Sequence, residues 1–139
     1  MLTQPFEVIE HTADVGIIAY GQSLEELFAN AAVGMMSFLI GLDSVRLVQQ
    51  RTVTADADDR EGLLIAWLNE LLVLLNADGF VPGRFTVRDL TDTRLRADVA
   101  GEPVDPTRHR FHLDVKAATY HTLEIKQDGL WQARVIFDV

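Results

Sequence analysis

The segment 63–75 constrains the fold of this chain most strongly, because nearly all of its side chains are apolar. The larger ones recur at intervals of three and four residues, which predicts an α-helix. Asp58 and Glu61 show the spacing of a helix N-cap, and Asp78-Gly79 marks the end of the helix. Because apolar residues extend far around this helix, we expect it to pack against more than one neighbour at the centre of the core.

The length and the cysteine count limit the classes of protein to which the chain can belong. It has 139 residues, which fits one domain over residues 1–139. It has no cysteine, which excludes disulfides, thiolate zinc sites, iron–sulfur clusters and thiol nucleophiles. Any metal would therefore be held by oxygen or imidazole ligands, and this favours a hard cation.

Charge and hydropathy limit where in the cell this protein can be located and which kinds of partner it can bind. The chain has 12 basic and 21 acidic residues, for a net charge of -9. Nucleic-acid affinity comes largely from Lys and Arg, so we expect no strong direct nucleic-acid binding and instead a cation or a basic protein as partner. The segment 63–75 is too short to span a bilayer, and residues 1–10 lack the pattern of a signal peptide. We therefore expect a cytoplasmic protein without a membrane partner.

A second helix and several strands complete the predicted fold. Ser23 and Glu26 form a capping box ahead of a helix over residues 24–40, which Gly41 ends. Asp128-Gly129, between two alternating runs, predicts a β-hairpin. The pattern indicates an α+β fold with two long helices packed on one face of an antiparallel or mixed sheet. Strands are expected over residues 6–10, 15–20, 45–56, 80–90, 93–100, 111–119, 123–127 and 130–139.

Oxygen ligands for a cation are grouped at two places. The polar corner 11–14 joins two predicted strands and contains His11 and Asp14. An aspartate in such a corner more often accepts hydrogen bonds from the turn backbone, and a lone histidine is more often half-buried than a ligand. The chain ends on a β-patterned strand at Asp138 and Val139, which places a side-chain carboxylate beside the terminal one. Such clusters suit calcium, although a terminal strand frays unless it is paired.

Two further polar segments carry no site by themselves. The acidic run 56–59 lacks the EF-hand pattern and is more typical of a helix cap. The segment 116–121 contains Lys116, Tyr120 and His121, but alternate residues of a strand face opposite sides, so these groups cannot all serve one site. The sequence contains no nucleophile elbow, phosphate loop, dinucleotide fingerprint or HExxH motif, and we expect no enzymatic activity.

Five stretches taken together resemble the archease family. They are FEVIEHTADVG at residues 6–16, SLEELF at 23–28, WLNELL at 67–72, VKAATYH at 115–121 and VIFDV at 135–139. The resemblance extends from residue 6 to residue 139, and the ordered combination is far more specific than any single stretch.

The resemblance implies both a function and a site. Archeases are small acidic α+β proteins that assist RtcB-type RNA ligases in tRNA splicing and RNA repair. An archease speeds formation of the ligase–guanylate intermediate and sustains multiple turnover, without catalysing ligation itself. The family also binds a divalent cation, calcium, and the matching ligand positions in this sequence are Asp14, Asp138 and Val139. The resemblance assigns no role to His11, Lys116 or His121.

Two other functions are compatible with the sequence. One is a general chaperone-like or tRNA methyltransferase-modulating binding module, which would act through exposed apolar surface. The other is a metal-dependent hydrolase that uses His11, Asp14 and His121, for which no supporting motif is present.

Overall fold

The computed structural model describes residues 4–10 and 14–139. Within these ranges the chain alternates between β-strands and two long α-helices, so the predicted α+β class is confirmed. In chain order the elements are β1 (Phe6–Glu10), β2 (Val15–Gly21), α1 (Leu24–Leu39), β3 (Gln49–Asp56), α2 (Arg60–Asn76), β4 (Phe80–Leu90), β5 (Arg94–Pro103), β6 (Ala117–Asp128) and β7 (Leu130–Asp138). Among the described residues, neither helix has the length and apolar character that a membrane span requires.

The strands form two antiparallel sheets, and the expectation of one sheet was wrong. The first sheet has the order β1-β2-β7-β6 and the second has the order β3-β5-β4. Each helix contacts strands of both sheets: α1 packs against β2 and β4, and α2 packs against β6 and β3. Alternation along a strand identifies its buried face but not its neighbours, so the sequence pattern could not reveal this division.

Helix α2 lies at the centre of the core, as its sequence predicts. Its side chains face both sheets, which explains why the apolar residues extend so far around it. Trp67 is fully buried, and its Nε1–H donates to the backbone carbonyl of Phe28 in α1 at 2.9 Å. Its ring meets Phe85 of β4 edge-to-face, with 6.2 Å between ring centroids. Trp67 therefore joins α2 to the other helix and to the second sheet.

The two helices begin with side-chain caps. At the start of α1, Ser23 Oγ accepts from the Glu26 N–H at 3.1 Å, and Glu26 accepts from the Gln22 N–H at 2.8 Å. This arrangement confirms the predicted pairing of Ser23 with Glu26 at the helix start, although Glu26 accepts from the N–H one residue before the N-cap. Helix α2 is capped by Asp59, whose Oδ1 accepts from the Gly62 N–H at 2.7 Å. The assignment of that cap to Asp58 was wrong by one residue.

The segment after α1 differs from its sequence pattern. Helix α1 ends at Leu39, and Gly41 precedes a short 3-10 turn over Leu42–Ser44. Gly41 has a φ of -69°, so it does not end the helix in the left-handed conformation that was expected. The predicted strand over 45–56 begins only at Gln49, because the backbone before it bonds elsewhere: the Arg46 N–H donates to the Glu102 carboxylate at 2.7 Å.

The predicted strands over 111–119 and 123–127 merge into β6, which begins only at Ala117. Residues 111–116 are irregular because two of them bond to the end of α1. The N–H groups of His112 and Leu113 donate to the carbonyls of Leu39 and Phe38 at 2.8 and 3.2 Å. Regular alternation in a sequence therefore does not ensure a strand when another element offers hydrogen-bond acceptors.

The β6–β7 hairpin is confirmed. The two strands pair antiparallel with Asp128 opposite Leu130, and Gly129 adopts a φ of 75°, which favours glycine. Strand β6 also contains an irregularity between Thr119 and Glu124, where Thr122 adopts a φ of 51°. The exposed side chains of residues 120–122 therefore project from an interruption in an edge strand.

Candidate cation site

Asp14 and Asp138 lie directly beyond the last residue pair that joins β2 and β7. Strands β2 and β7 are antiparallel, with Val15 opposite Phe137. Continuing this register by one residue places Asp14 opposite Asp138. Side chains at facing positions of an antiparallel pair lie on the same side of the sheet, with Cβ atoms about 5 Å apart. This continuation would make neighbours of two carboxylates that are 124 residues apart in the sequence.

These two side chains point away from the helices. Phe137 and Val135 of β7 are fully buried, so the alternation along the strand turns Asp138 toward the outer face, where it is exposed. In β2, Ile17 and Ala19 are likewise buried, and Asp14 has the opposite parity. The pair is therefore accessible from solvent.

The end of β7 is held by pairing on both sides. Asp138 lies opposite Ala117 of β6, and its carbonyl accepts from the Lys116 N–H at 2.7 Å. The side chain of Val139 packs against the edge of the core. The end of β7 is therefore not expected to fray, because its last backbone groups are paired with β6 and bonded to Lys116.

Gly16 allows β2 and β7 to approach closely beside the aspartates. A Cβ atom at this position would lie 2.6 Å from Ile136 Cδ1 and 2.8 Å from the carbonyl oxygen of Val135. Only glycine fits without moving the backbone of β7, so this residue preserves the register on which the pairing of Asp14 with Asp138 depends.

The donor set suits a hard cation. Carboxylate and main-chain oxygens are the ligands that calcium prefers, and Asp14, Asp138 and Val139 offer both kinds at one end of the sheet. Over residues 4–10 and 14–139 the structure contains no group of three or more His, Asp, Glu or Cys side chains suited to a metal. His11 lies outside the described residues. Cation binding by Asp14, Asp138 and Val139 stays a prediction.

Two other polar residues singled out in the sequence lie near this end of the sheet. Lys116 is exposed, and its backbone is bonded to Asp138 as described above. His121 is exposed at the irregularity in β6, and its N–H donates to Thr119 Oγ1 at 3.3 Å. The backbone of Lys116 is thus beside Asp138, whereas His121 belongs to the interrupted part of the edge strand.

A buried polar cluster around Glu102 was missed by the sequence analysis. The Glu102 carboxylate accepts from the Arg46 N–H, the Arg108 guanidinium and Nε2 of His109, the last at 2.9 Å. His109 Nδ1 accepts from the backbone N–H of Asp105 at 2.8 Å, so Nε2 carries the proton that is donated to Glu102. The sequence around Glu102 reads as a Gly-Glu-Pro turn, and nothing local indicates a buried acceptor.

The Glu102 cluster makes the stability of the fold depend on pH. Burial by itself would raise the pKa of the carboxyl group. Hydrogen bonds from Arg46, Arg108 and His109, together with the charge of Arg108, instead lower the pKa from 4.5 to about 2. Because this pKa is lower in the folded than in the unfolded state, the stabilisation is complete above about pH 4.5 and is lost as the pH falls toward 2.

We expect Glu102→Gln to lower the free energy of unfolding by about 3 kcal/mol at pH 7 and by much less near pH 2.5. Urea denaturation of the parent and the variant at both pH values measures this difference. Glu124→Gln, which removes an exposed carboxylate from β6, is the control and should change stability little at either pH. If Glu102→Gln lowered the free energy of unfolding equally at both pH values, the ionised carboxylate of Glu102 would not be the source of the stabilisation.

Comparison with known proteins places the chain in a family. A model of the Archease protein family (MTH1598/TM1083) matches residues 6–139. The chain belongs to the archease family. Protein archease of Methanosarcina mazei is 37% identical over 139 residues, which cover 96% of this chain and 95% of that protein. Protein archease of Pyrococcus abyssi is also 37% identical and covers 96% of this chain and 98% of its own length.

A solved archease-like structure agrees with the fold described above. The solution structure of Methanobacterium thermoautotrophicum protein 1598 superposes with a TM-score of 0.82 at 38% identity, covering 97% of this chain and 99% of that one. The family resemblance inferred from five sequence stretches is therefore confirmed for this archease over nearly its whole length.

Proposed function

We propose that this archease is a non-catalytic protein cofactor of an RtcB-type RNA ligase, acting in the cytoplasm in tRNA splicing and RNA repair. It promotes guanylylation of the ligase and sustains multiple turnover. It binds calcium or another hard divalent cation through Asp14, Asp138 and main-chain oxygens of Val139. The observation that carries this proposal is the pairing of Val15 with Phe137 at one end of the first sheet, directly beside the two aspartates, in a chain that belongs to the archease family.

The backbone around the aspartates supports a rigid contact surface. Asp138 is paired with Ala117 of β6, and its neighbour Phe137 is paired with Val15 of β2, so a cation bound there would lie at a fixed position relative to the sheet. The bound cation would supply a concentrated positive charge, and the aspartates would orient it toward solvent. A surface of this kind can join a partner without a large loss of conformational freedom.

Charge supports association with a basic partner. The net charge of this archease is -9, and a ligase that holds RNA presents Lys and Arg to the phosphate backbone. Opposite net charges raise the rate of encounter, and salt weakens this effect. The activation should therefore be stronger at low ionic strength than at high ionic strength.

The test combines a guanylylation assay, with a purified RtcB-type ligase, GTP and divalent cation, and a multiple-turnover ligation assay with added RNA, each with and without this archease. We expect the archease to increase the rate of ligase–guanylate formation and the number of RNA molecules joined per ligase. Bovine serum albumin at the same concentration controls for nonspecific stabilisation by protein. Equal rates with and without the archease would refute the role as ligase cofactor and would favour a general binding module.

A further inference from the structure

A cavity of about 550 Å³ lies where the carboxyl-terminal ends of the two helices meet the irregular segment before β6. This volume is in the range of small-molecule sites. The cavity shares no residue with the proposed cation site. Its walls are formed by Leu39, Leu75, Asn76, Gly79, Val104, Phe111, His112, Leu113 and Asp114.

The electrostatics of the cavity favour a positively charged group. Both helices end at the cavity, at Leu39 and near Asn76, and neither has a basic residue in its last turn. The carboxyl-terminal end of a helix carries partial negative charge, which attracts cations. The last two carbonyls of α1 already accept from His112 and Leu113, so this attraction comes mainly from the end of α2. Asp114 adds a full carboxylate to the wall, and Asn76 adds an amide oxygen as a hydrogen-bond acceptor.

The remaining walls favour an apolar stem attached to that charge. Leu39, Leu75 and Val104 form apolar surface, and Phe111 is 43% exposed beside them. A half-exposed aromatic ring beside a carboxylate can contact an ammonium or guanidinium group through its face. A cation without a stem would leave the apolar walls unused, and an uncharged hydrocarbon would leave Asp114 without a partner.

The buried Glu102 cluster holds the aromatic wall in place. Phe111 packs edge-to-face against His109, with 6.2 Å between ring centroids. His109 is itself fixed at both ring nitrogens, by Glu102 and by the Asp105 N–H. The N–H of His112 is bonded to the carbonyl of Leu39. The wall is therefore held by contacts within the protein, although it lies in a segment without regular secondary structure.

We propose that this cavity binds an alkylammonium or alkylguanidinium group, with the charge at Asp114 and the stem against Phe111 and the leucines. Two sources carry this chemistry: a free polyamine, or a Lys or Arg side chain of a protein partner. The proposal does not depend on the proposed ligase function, because it rests on residues outside the cation site.

Amide chemical shifts measured by NMR during titration test the proposal. The probes are n-butylguanidinium and its uncharged counterpart n-butylurea. We expect the guanidinium compound to shift amides of Asn76, Gly79 and residues 111–114, with a dissociation constant on the order of 1 mM, and butylurea to bind far more weakly. Equal shifts from both compounds, or shifts from the guanidinium spread over the acidic surface, would overturn the proposal.

Two variants show whether binding of butylguanidinium depends on the carboxylate at the cavity or on the acidic surface in general. Asp114→Asn removes the carboxylate with little change of shape, and we expect it to weaken butylguanidinium binding about threefold to fivefold. Asp128→Asn makes the same change at the distant β6–β7 turn and should leave the affinity unchanged. Unchanged affinity in Asp114→Asn would refute the site. Thermal unfolding of both variants shows whether the fold is retained.

Two further titrations distinguish a free polyamine from a Lys or Arg side chain of a protein partner. Spermidine represents the free polyamines, and Nα-acetyl-arginine amide represents a side chain of a protein partner. Tighter binding of spermidine would identify a polyamine site, whereas tighter binding of the blocked arginine would identify a pocket for a partner side chain. Failure of both to shift residues 111–114 would overturn the proposal.

Discussion

Replacing Asp138 by asparagine is expected to abolish stimulation of ligase guanylylation by this archease. The substitution keeps the size of the side chain and removes one of two facing carboxylates. Loss of a group that merely supports a metal ligand costs about 10- to 100-fold in metal affinity, and loss of the ligand itself should cost at least as much. Isothermal titration calorimetry with calcium measures the affinity, and the guanylylation assay measures the functional loss.

The control for Asp138→Asn is Asp128→Asn, which makes the same chemical change at an exposed position of the same hairpin. It should retain both calcium affinity and stimulation. Circular dichroism establishes that both variants are folded. If Asp138→Asn stimulates the ligase as well as the parent, the aspartate pair is not the contact surface. Loss of calcium binding with full stimulation would show that the cation is not needed for activation.

Replacing Trp67 by alanine is expected to have the largest effect on stability, a loss of about 4 kcal/mol. The ring is fully buried and lies between α1, α2 and β4, so its removal leaves a cavity at the centre of the core. The substitution also leaves the carbonyl of Phe28 without the indole donor. Urea denaturation followed by circular dichroism measures the change, which is large relative to the total stability of a small domain.

Trp131→Ala is the matched control for Trp67→Ala. Trp131 is only partly buried and lies at the edge of the core, with the Arg60 guanidinium 5.3 Å from its ring. We expect Trp131→Ala to lower the free energy of unfolding by about 1–2 kcal/mol. The cost is smaller than at Trp67 because solvent fills the space that the Trp131 ring leaves, so no internal cavity forms. Equal losses in the two variants would contradict the central position assigned to Trp67.

Local features of the fold could be predicted from the sequence. The periodicity of residues 63–75, the capping box of Ser23 and Glu26, and the Asp128-Gly129 hairpin were each confirmed. These features depend on interactions between residues a few positions apart, and such interactions are fully contained in a short stretch of sequence. The errors in these local features lie at the ends of helices and strands, as at the cap of α2, where Asp59 and not Asp58 accepts the hydrogen bond.

The candidate sites could be predicted only in part. Asp14 and Asp138 were identified from the family resemblance, and their facing positions became visible only through the register of β2 and β7. The Glu102 cluster was not identified, because its donors come from Arg46 on one side and residues 108–109 on the other. A buried carboxylate can be identified only from the groups that donate hydrogen bonds to it. When those groups are distant in the sequence, no local pattern indicates the cluster.

The sequence by itself determined the two helices, the Ser23 cap, the hairpin and the absence of thiol chemistry, because each follows from local spacing or from composition. Only the tertiary structure decided the division into two sheets and the cavity between the two helix ends. It also decided that His112 and Leu113 bond to α1, so that residues 111–116 form no strand. These features depend on which backbone and side-chain groups, distant in sequence, form hydrogen bonds with one another. The packing of the whole chain determines those partners.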